Sequence, residues 1–125
     1  KLAPTPNSQL RSLFLQTLVY FSSSIQTAFQ QDYHPYRFAD KIEDEVGAQR
    51  RGQKRLMETL RIIDDQIGDN KWILGECFSA ADIYLYMLTT WLKPSREHPE
   101  LSNFPNVQRI AQQTGVRHSV KLVYG

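Results

Sequence analysis

Apolar residues recur every three or four positions along most of the chain, which is the spacing that places them on one face of an α-helix. Over residues 10–29 this pattern continues without Gly or Pro and predicts a long first helix, with Asn7 or Ser8 as its N-cap. The apolar arc of this helix is wide, so we expect it to pack on more than one side. Pro35 disfavours helical backbone at the residue before it, so the segment 32–36 is predicted to end the helix.

A second helix is predicted from about Asp44 to Ile67, because its apolar side chains again follow steps of three and four. Gly47 and Gly52 weaken its beginning by roughly 1 kcal/mol each relative to Ala. Gly68 supplies its stop, because glycine adopts a left-handed conformation without a steric penalty.

The clearest local signal is the start of a helix at Ser79. Ser79 and Asp82 are spaced as a capping box, and Phe78 and Ile83 occupy the two positions of a hydrophobic staple. A nucleophilic role for Ser79 would need a neighbouring base, and no His lies nearby in the sequence. Capping therefore explains these four residues. The helix that follows is apolar on nearly every side, so we expect it to be buried centrally.

The remaining helix-breaking and helix-capping residues predict two shorter helices. Pro94 ends the central helix, Pro105 stands in the first turn of the next, and Thr114 is a candidate N-cap for a last short one. No stretch alternates as a strand would. The chain is therefore predicted to be all-α, a bundle of about five helices around a buried central helix, with one domain over residues 1–125.

Composition limits the partners more than the fold. Fifteen basic and thirteen acidic residues give a net charge of +2, which is too balanced to indicate a nucleic acid or a membrane as partner. Cys77 is the single cysteine, so no intrachain disulfide forms and a reducing, cytoplasmic compartment is expected. No signal peptide is visible, and the most apolar stretch, 83–92, is about half of a membrane span. Because the chain begins with Lys1, we expect it to belong to a longer protein.

Two groups of side chains invite other interpretations. The basic group on the second helix follows three acidic residues, so we interpret it as a solvated face rather than a nucleic-acid site. The histidines are scattered, without metal-ligand spacing, so no metal site is expected. These groups are Arg50, Arg51, Lys54 and Arg55, and His34, His98 and His118.

The segment from Trp72 to Leu85, WILGECFSAADIYL, resembles the signature of the glutathione transferase C-terminal domain, in which a Gly-containing turn leads into a Ser/Thr-x-x-Asp helix start. The resemblance continues through Trp91 and the sequence Phe-Pro-Asn-Val at 104–107, and it covers essentially the whole chain. The first helix and Trp91 look closest to bacterial beta-type enzymes.

This resemblance implies a second, thioredoxin-like N-terminal domain that is not present in this chain. In the family, that domain binds most of the glutathione and carries the catalytic Ser, Tyr or Cys. No catalytic residue is therefore expected here, and Cys77 is not a substitute, because it lies in the turn before the central helix.

The resemblance also implies that the polar strip of the first helix and the end of the central helix line the site for a hydrophobic co-substrate. Gln26 stands where beta-type enzymes often carry His, and it cannot exchange a proton near neutral pH, although it can still position a ligand. Val19 is two turns earlier and is expected on the same face. There are two alternatives to a substrate-binding role. In one, the polar strip simply faces water, and in the other, Trp91 simply packs in the core. The predicted substrate-binding residues are Val19, Ser22, Ser23, Gln26, Thr27 and Trp91.

Taken with the resemblance, these residues favour the C-terminal domain of a glutathione transferase, expected to be a cytosolic bacterial homodimer. Such an enzyme joins glutathione, its co-substrate, to a small electrophile or uses the thiol in a related reduction. The domain alone is expected to be inactive. The alternative is a non-catalytic interaction module of the kind found in translation elongation-factor gamma subunits, aminoacyl-tRNA synthetases and bacterial stress-starvation regulators. The Gln26 substitution speaks for that alternative.

Overall fold

The computed structural model describes all 125 residues, Lys1–Gly125, and its architecture is all-helical. A π-helical turn, Phe21–Ile25, joins the first two α-helices into one continuous rod, so the chain forms five helical rods. The only strand-like pairing is an isolated bridge between Trp72 and Gly75. The predicted all-α bundle is confirmed. The α-helices are α1 Arg11–Tyr20, α2 Gln26–Tyr33, α3 Glu45–Ile67, α4 Ala80–Thr90, α5 Pro105–Gly115 and α6 His118–Tyr124.

Helix α4 occupies the middle of the bundle, as its composition predicts. Every residue of α4 except Thr90 is buried or half-buried, and Leu85 and Leu88 are almost completely inaccessible to solvent. The core forms where α4 meets the π turn and helices α1, α2, α3 and α5, and Phe21 and Phe104 are among its largest fully buried side chains. None of the helices combines the length and apolar character that a membrane span requires.

The start of α4 has the predicted capping box. The Ser79 hydroxyl accepts a hydrogen bond from Ala81 N at 3.2 Å, and Asp82 Oδ2 accepts one from Ser79 N at 2.8 Å. Asp82 Oδ1 also accepts from Ile73 N at 2.9 Å, so one carboxylate connects the preceding loop to the helix. Burial raises the pKa of Asp82, and these hydrogen bonds only partly oppose that shift.

Of the two residues in the predicted hydrophobic staple, Phe78 packs against other partners. Its ring packs edge-on against Trp72 with 4.9 Å between centroids, and the Arg117 guanidinium lies 3.8 Å above its centroid. The contact between Phe78 and Ile83 stays a prediction.

Two predicted N-caps are wrong. Helix α1 begins at Arg11 with Leu10 as N-cap, because Ser8 bonds to Leu10 N at 3.1 Å in a separate turn that precedes the helix. Thr114 lies inside α5 and is fully buried. Helix α5 continues to Gly115 because Thr114 extends the buried face at steps of three and four after Val107. Arg117 is the N-cap of α6.

The π turn is a second departure from the predicted regular first helix. Gln26 N bonds to Phe21 O, five residues back, and both Phe21 and Ile25 are fully buried. One extra residue in a turn rotates the following helix by about 100° relative to an uninterrupted α-helix. The faces of α1 and α2 therefore do not continue one another.

Gly52 is required where α3 crosses α2. A Cβ atom at this position would lie 2.9 Å from Asp32 N and 3.0 Å from the carbonyl carbon of Gln31. Both are backbone atoms that cannot rotate away. The lack of a side chain therefore permits a close approach of the two helices, which outweighs the helix-weakening effect expected from the sequence.

Replacing Gly52 by Ala is expected to lower the free energy of unfolding by about 1–3 kcal/mol, because the added methyl group overlaps the backbone of α2. Gly47→Ala is the matched control in the same helix. Apart from its own stretch of helix, no atom lies within 4 Å of the added Cβ, so the gain in helix propensity should stabilise the fold by about 0.5–1 kcal/mol. Urea unfolding followed by circular dichroism measures both. Equal effects of the two substitutions would contradict the close approach.

Candidate ligand-binding site

A pocket opens between α2 and the C-terminal end of α4. Its volume is about 460 Å³, which lies in the range of pockets that hold small molecules. One side comes from α2 and the residue after it, and the other from the last residue of α4 and the loop that follows. The lining residues are Gln26, Phe29, Gln30, Tyr33, His34, Thr90, Trp91 and Lys93.

Phe29, Tyr33 and Trp91 form the apolar part of this pocket. Phe29 and Trp91 meet edge to face, with 5.5 Å between centroids and 85° between ring planes. Phe29 is anchored in the core, whereas Trp91 is half-buried and can offer part of its indole to a ligand. A flat apolar group would find aromatic surface here.

Gln26 enters the pocket with a defined orientation. The Tyr84 hydroxyl donates a hydrogen bond to Gln26 Oε1, and the Tyr84 ring packs edge-on against Phe21 at 5.4 Å. Burial raises the pKa of Tyr84, so the hydroxyl keeps its proton and remains a donor at neutral pH. The carbonyl oxygen of Gln26 is thereby occupied, and its Nε2 group forms no hydrogen bond within the protein.

The other predicted site residues on the first rod do not join Gln26. Val19 and Ser23 line a separate hollow of about 400 Å³ between α1 and α3, together with Ile62. The expectation that Val19 and Gln26 share a face is wrong, because the π turn between them rotates α2 relative to α1. The ligand-binding role of each residue stays a prediction.

The two serines have partners in their own helix. Ser22 and Ser23 donate hydrogen bonds to the Val19 carbonyl oxygen, at 3.1 and 2.7 Å respectively. Hydroxyl groups of helical serines often bond to the preceding turn in this way. Neither hollow is lined by Ser22 or by Thr27, which is half-buried. Of the six predicted residues, Gln26 and Trp91 line the pocket between α2 and α4, and Val19 and Ser23 line the separate hollow between α1 and α3.

A buried polar cluster behind the pocket was not predicted from the sequence. Asp32 is completely buried and accepts hydrogen bonds from His98 Nε2, from Gln53 Nε2 at 3.0 Å and from Arg96 Nε at 3.3 Å. His98 Nδ1 accepts from Lys93 N at 2.9 Å, so the ring carries its proton on Nε2. Burial alone would raise the pKa of Asp32, but the hydrogen bonds and the Arg96 charge outweigh it and hold this pKa below its usual range.

This cluster fixes the loop that forms one wall of the pocket. The Tyr33 hydroxyl donates to the Trp91 carbonyl oxygen at 2.7 Å, while His98 holds the Lys93 amide. The Arg96 guanidinium lies 4.4 Å above the Tyr33 ring, in the range of a cation–π contact. The one signal in the sequence is that Asp32 follows Phe29 by three positions, on the buried face of α2. Nothing local marks His98 as its partner.

The basic residues of α3 divide between solvent and the interior. Arg50, Arg51 and Lys54 are exposed, whereas Arg55 is half-buried and donates to Gln31 Oε1 at 2.9 Å. No group of three or more His, Cys, Asp or Glu side chains is arranged to hold a metal ion. Cys77 is exposed.

The family model for the glutathione S-transferase C-terminal domain matches residues 46–111, which is more than half of the chain. The chain therefore belongs to the family of glutathione S-transferase C-terminal domains. The matched range contains α4 with its capping box and most of α5.

Several bacterial glutathione transferases of known structure share this fold. A Sulfitobacter homologue with bound glutathione is 22% identical and superimposes with a TM-score of 0.85 over 98% of this chain and 64% of its own. The beta-class enzyme of Sphingomonas chungbukensis is 25% identical, with a TM-score of 0.77 over 97% of this chain and 56% of its own. A sphingomonad enzyme in complex with glutathione is 26% identical, with a TM-score of 0.78 over the same shares.

The chain thus spans little more than half to about two thirds of the length of these structures. No protein with a curated description matches the chain by sequence.

The Asp32 cluster predicts a pH dependence of stability. Because the pKa of Asp32 is lower in the folded than in the unfolded chain, its carboxylate stabilises the fold above about pH 4. This contribution is lost as the pH falls through the folded-state pKa. Asp32→Asn should therefore lower the free energy of unfolding at pH 7 by about 3 kcal/mol, since an amide cannot accept from all three donors. The variant should also lose less stability on acidification than the original chain.

Chemical denaturation between pH 7 and pH 3 measures both effects. Asp69→Asn, at an exposed acidic residue, is the control and should shift stability by less than about 0.5 kcal/mol. An Asp32→Asn chain as stable as the original at pH 7 would show that the cluster does not support the fold.

Proposed function

We propose that this chain is the electrophile-binding half of a glutathione transferase. The observation that carries the proposal is the pocket in which Gln26 and the aromatic rings of Phe29 and Trp91 come together. The family assignment and the glutathione-bound bacterial relatives support it. A pocket with an apolar aromatic side and a few placed polar groups is typical of sites for small organic molecules.

The reaction we propose is attack of the glutathione thiolate on an electrophilic carbon of the bound ligand. A carbon–sulfur bond forms, and the electron pair of the breaking bond departs with the leaving group. The thioredoxin-like domain of the full-length protein would bind most of the glutathione and lower the pKa of its thiol. The residues of this chain supply no proton transfer. They bind the electrophile and orient it, which is a large part of catalysis when two substrates must meet.

We further propose that the full-length protein is a cytoplasmic homodimer. Several apolar side chains remain exposed on α1 and α3, which is the arrangement expected of a surface that a partner covers. Val19, Val46, Met57 and Ile62 are each between 48% and 63% exposed.

A direct test can show whether the thioredoxin-like domain activates glutathione while this chain binds the electrophile. We expect the 125-residue chain alone to show no turnover with glutathione and an activated aryl halide, because it lacks a group that activates the thiol. The full-length protein should turn the pair over and be retained on immobilised glutathione. Turnover by the chain alone would contradict the proposed division. A full-length protein that neither reacts nor binds glutathione would favour the alternative of a non-catalytic interaction module.

Trp91→Leu in the full-length protein should reduce kcat/KM for an aromatic electrophile by about tenfold, because an aromatic contact contributes up to about 1.5 kcal/mol. The KM for glutathione should stay unchanged. Steady-state kinetics with each substrate varied in turn measures the two effects. Trp91→Phe keeps an aromatic ring and should retain most of the activity. Equal losses for both substrates, or no loss, would place Trp91 outside the electrophile site.

A further inference from the structure

The charged side of the pocket is formed by a lysine without an acidic partner. Lys93 is exposed at the pocket wall, and its backbone amide is held by His98 Nδ1 at 2.9 Å. The only ion pair in the structure joins Arg96 to Asp32. The Lys93 ammonium group is therefore available to a ligand.

No carboxylate opposes this charge within the pocket. None of the eight lining residues is Asp or Glu. The acidic group in the cluster behind the wall, Asp32, is completely buried and is compensated by Arg96 and by hydrogen bonds from His98 and Gln53. A negatively charged ligand group would thus meet an attractive field.

Gln26 adds hydrogen-bond donors to the same pocket. Its carbonyl oxygen is occupied by the Tyr84 hydroxyl, so the group it can offer is the Nε2 amide with two donor hydrogens. The pocket therefore combines aromatic surface with a cation and an oriented amide donor, a set that complements an acceptor such as a carboxylate.

We propose that the pocket selects aromatic ligands that carry an anionic group, with Lys93 and Gln26 as the residues that determine this preference. The inference rests on the proposed electrophile site and names the substrate class of that site. An aromatic carboxylate places its ring against Phe29 and Trp91 and its negative charge towards Lys93.

The test compares two ligands of the same shape and different charge, 1-naphthoate and 1-naphthamide, in titrations of the ¹⁵N-labelled 125-residue chain. The indole N–H signal of Trp91 reports binding, and that of Trp72, which is 8% exposed and belongs to the core, is the internal reference. We expect both ligands to shift the Trp91 signal. Naphthoate should bind about two- to fivefold more tightly at low ionic strength, the range of an exposed charge pair. Added salt should reduce the difference.

Two variants test whether Lys93 and Gln26 determine the preference for naphthoate over naphthamide. Lys93→Gln should raise the Kd for naphthoate by about two- to fivefold and leave naphthamide binding unchanged. Gln26→Glu can still accept from Tyr84 but replaces the amide donors by negative charge, so it should weaken naphthoate binding selectively. Lys71→Gln, at an exposed lysine outside the pocket, is the matched control and should change neither ligand.

The outcomes separate this inference from the proposed function. Equal binding of the two ligands to the original chain, or a naphthoate preference that survives in Lys93→Gln and Gln26→Glu, would overturn the anionic selectivity and leave the electrophile site intact. If neither ligand shifts the Trp91 signal, the electrophile site and the selectivity built on it are both overturned.

Discussion

A carboxylate without access to water must obtain its hydrogen bonds from the protein, and Asp32 obtains them from three side chains on two separate segments. Gln53 donates from the first half of α3, and Arg96 and His98 donate from the loop after α4. Satisfying this one group therefore decides where the loop lies. Since the same loop contributes Trp91 and Lys93 to the pocket, the shape of the pocket depends on a buried charge that does not line it.

Buried carboxylates repeat this role elsewhere in the bundle. Asp82 connects the loop at Ile73 to the start of α4, and Asp64 of α3 accepts from Asn106 N at 2.8 Å and Val107 N at 2.9 Å at the start of α5. Helix N-termini expose unpaired amide donors and favour negative charge, so an aspartate from another segment can cap them. The order of the helices in space is thus specified partly by acidic side chains that each join two elements.

The parts of the fold that follow from neighbouring residues were predictable. Ser79 and Asp82 interact across three positions, so their spacing alone identifies the start of α4, and the steps of three and four locate α3 to within one residue at its start. The π turn and the Asp32–His98 contact were not predictable. Phe21 and Ile25 lie at spacings that also fit a regular helix, and the partners Asp32 and His98 are 66 positions apart. The same limit applies to the candidate site: Gln26 and Trp91 line one pocket, whereas the π turn places Val19 on another face of the rod.

The π turn also constrains how this chain can change over evolutionary time. Removing one residue between 21 and 25 would produce a locally better helix, with regular hydrogen bonding throughout. The deletion would also rotate α2 about its own axis. Phe29 would then no longer lie in the core, and Asp32 would lose its hydrogen-bond donors. The extra residue can therefore be lost only together with compensating changes in α3 and in the loop after α4. An irregularity that looks dispensable from its own five residues is retained by contacts that lie far outside them.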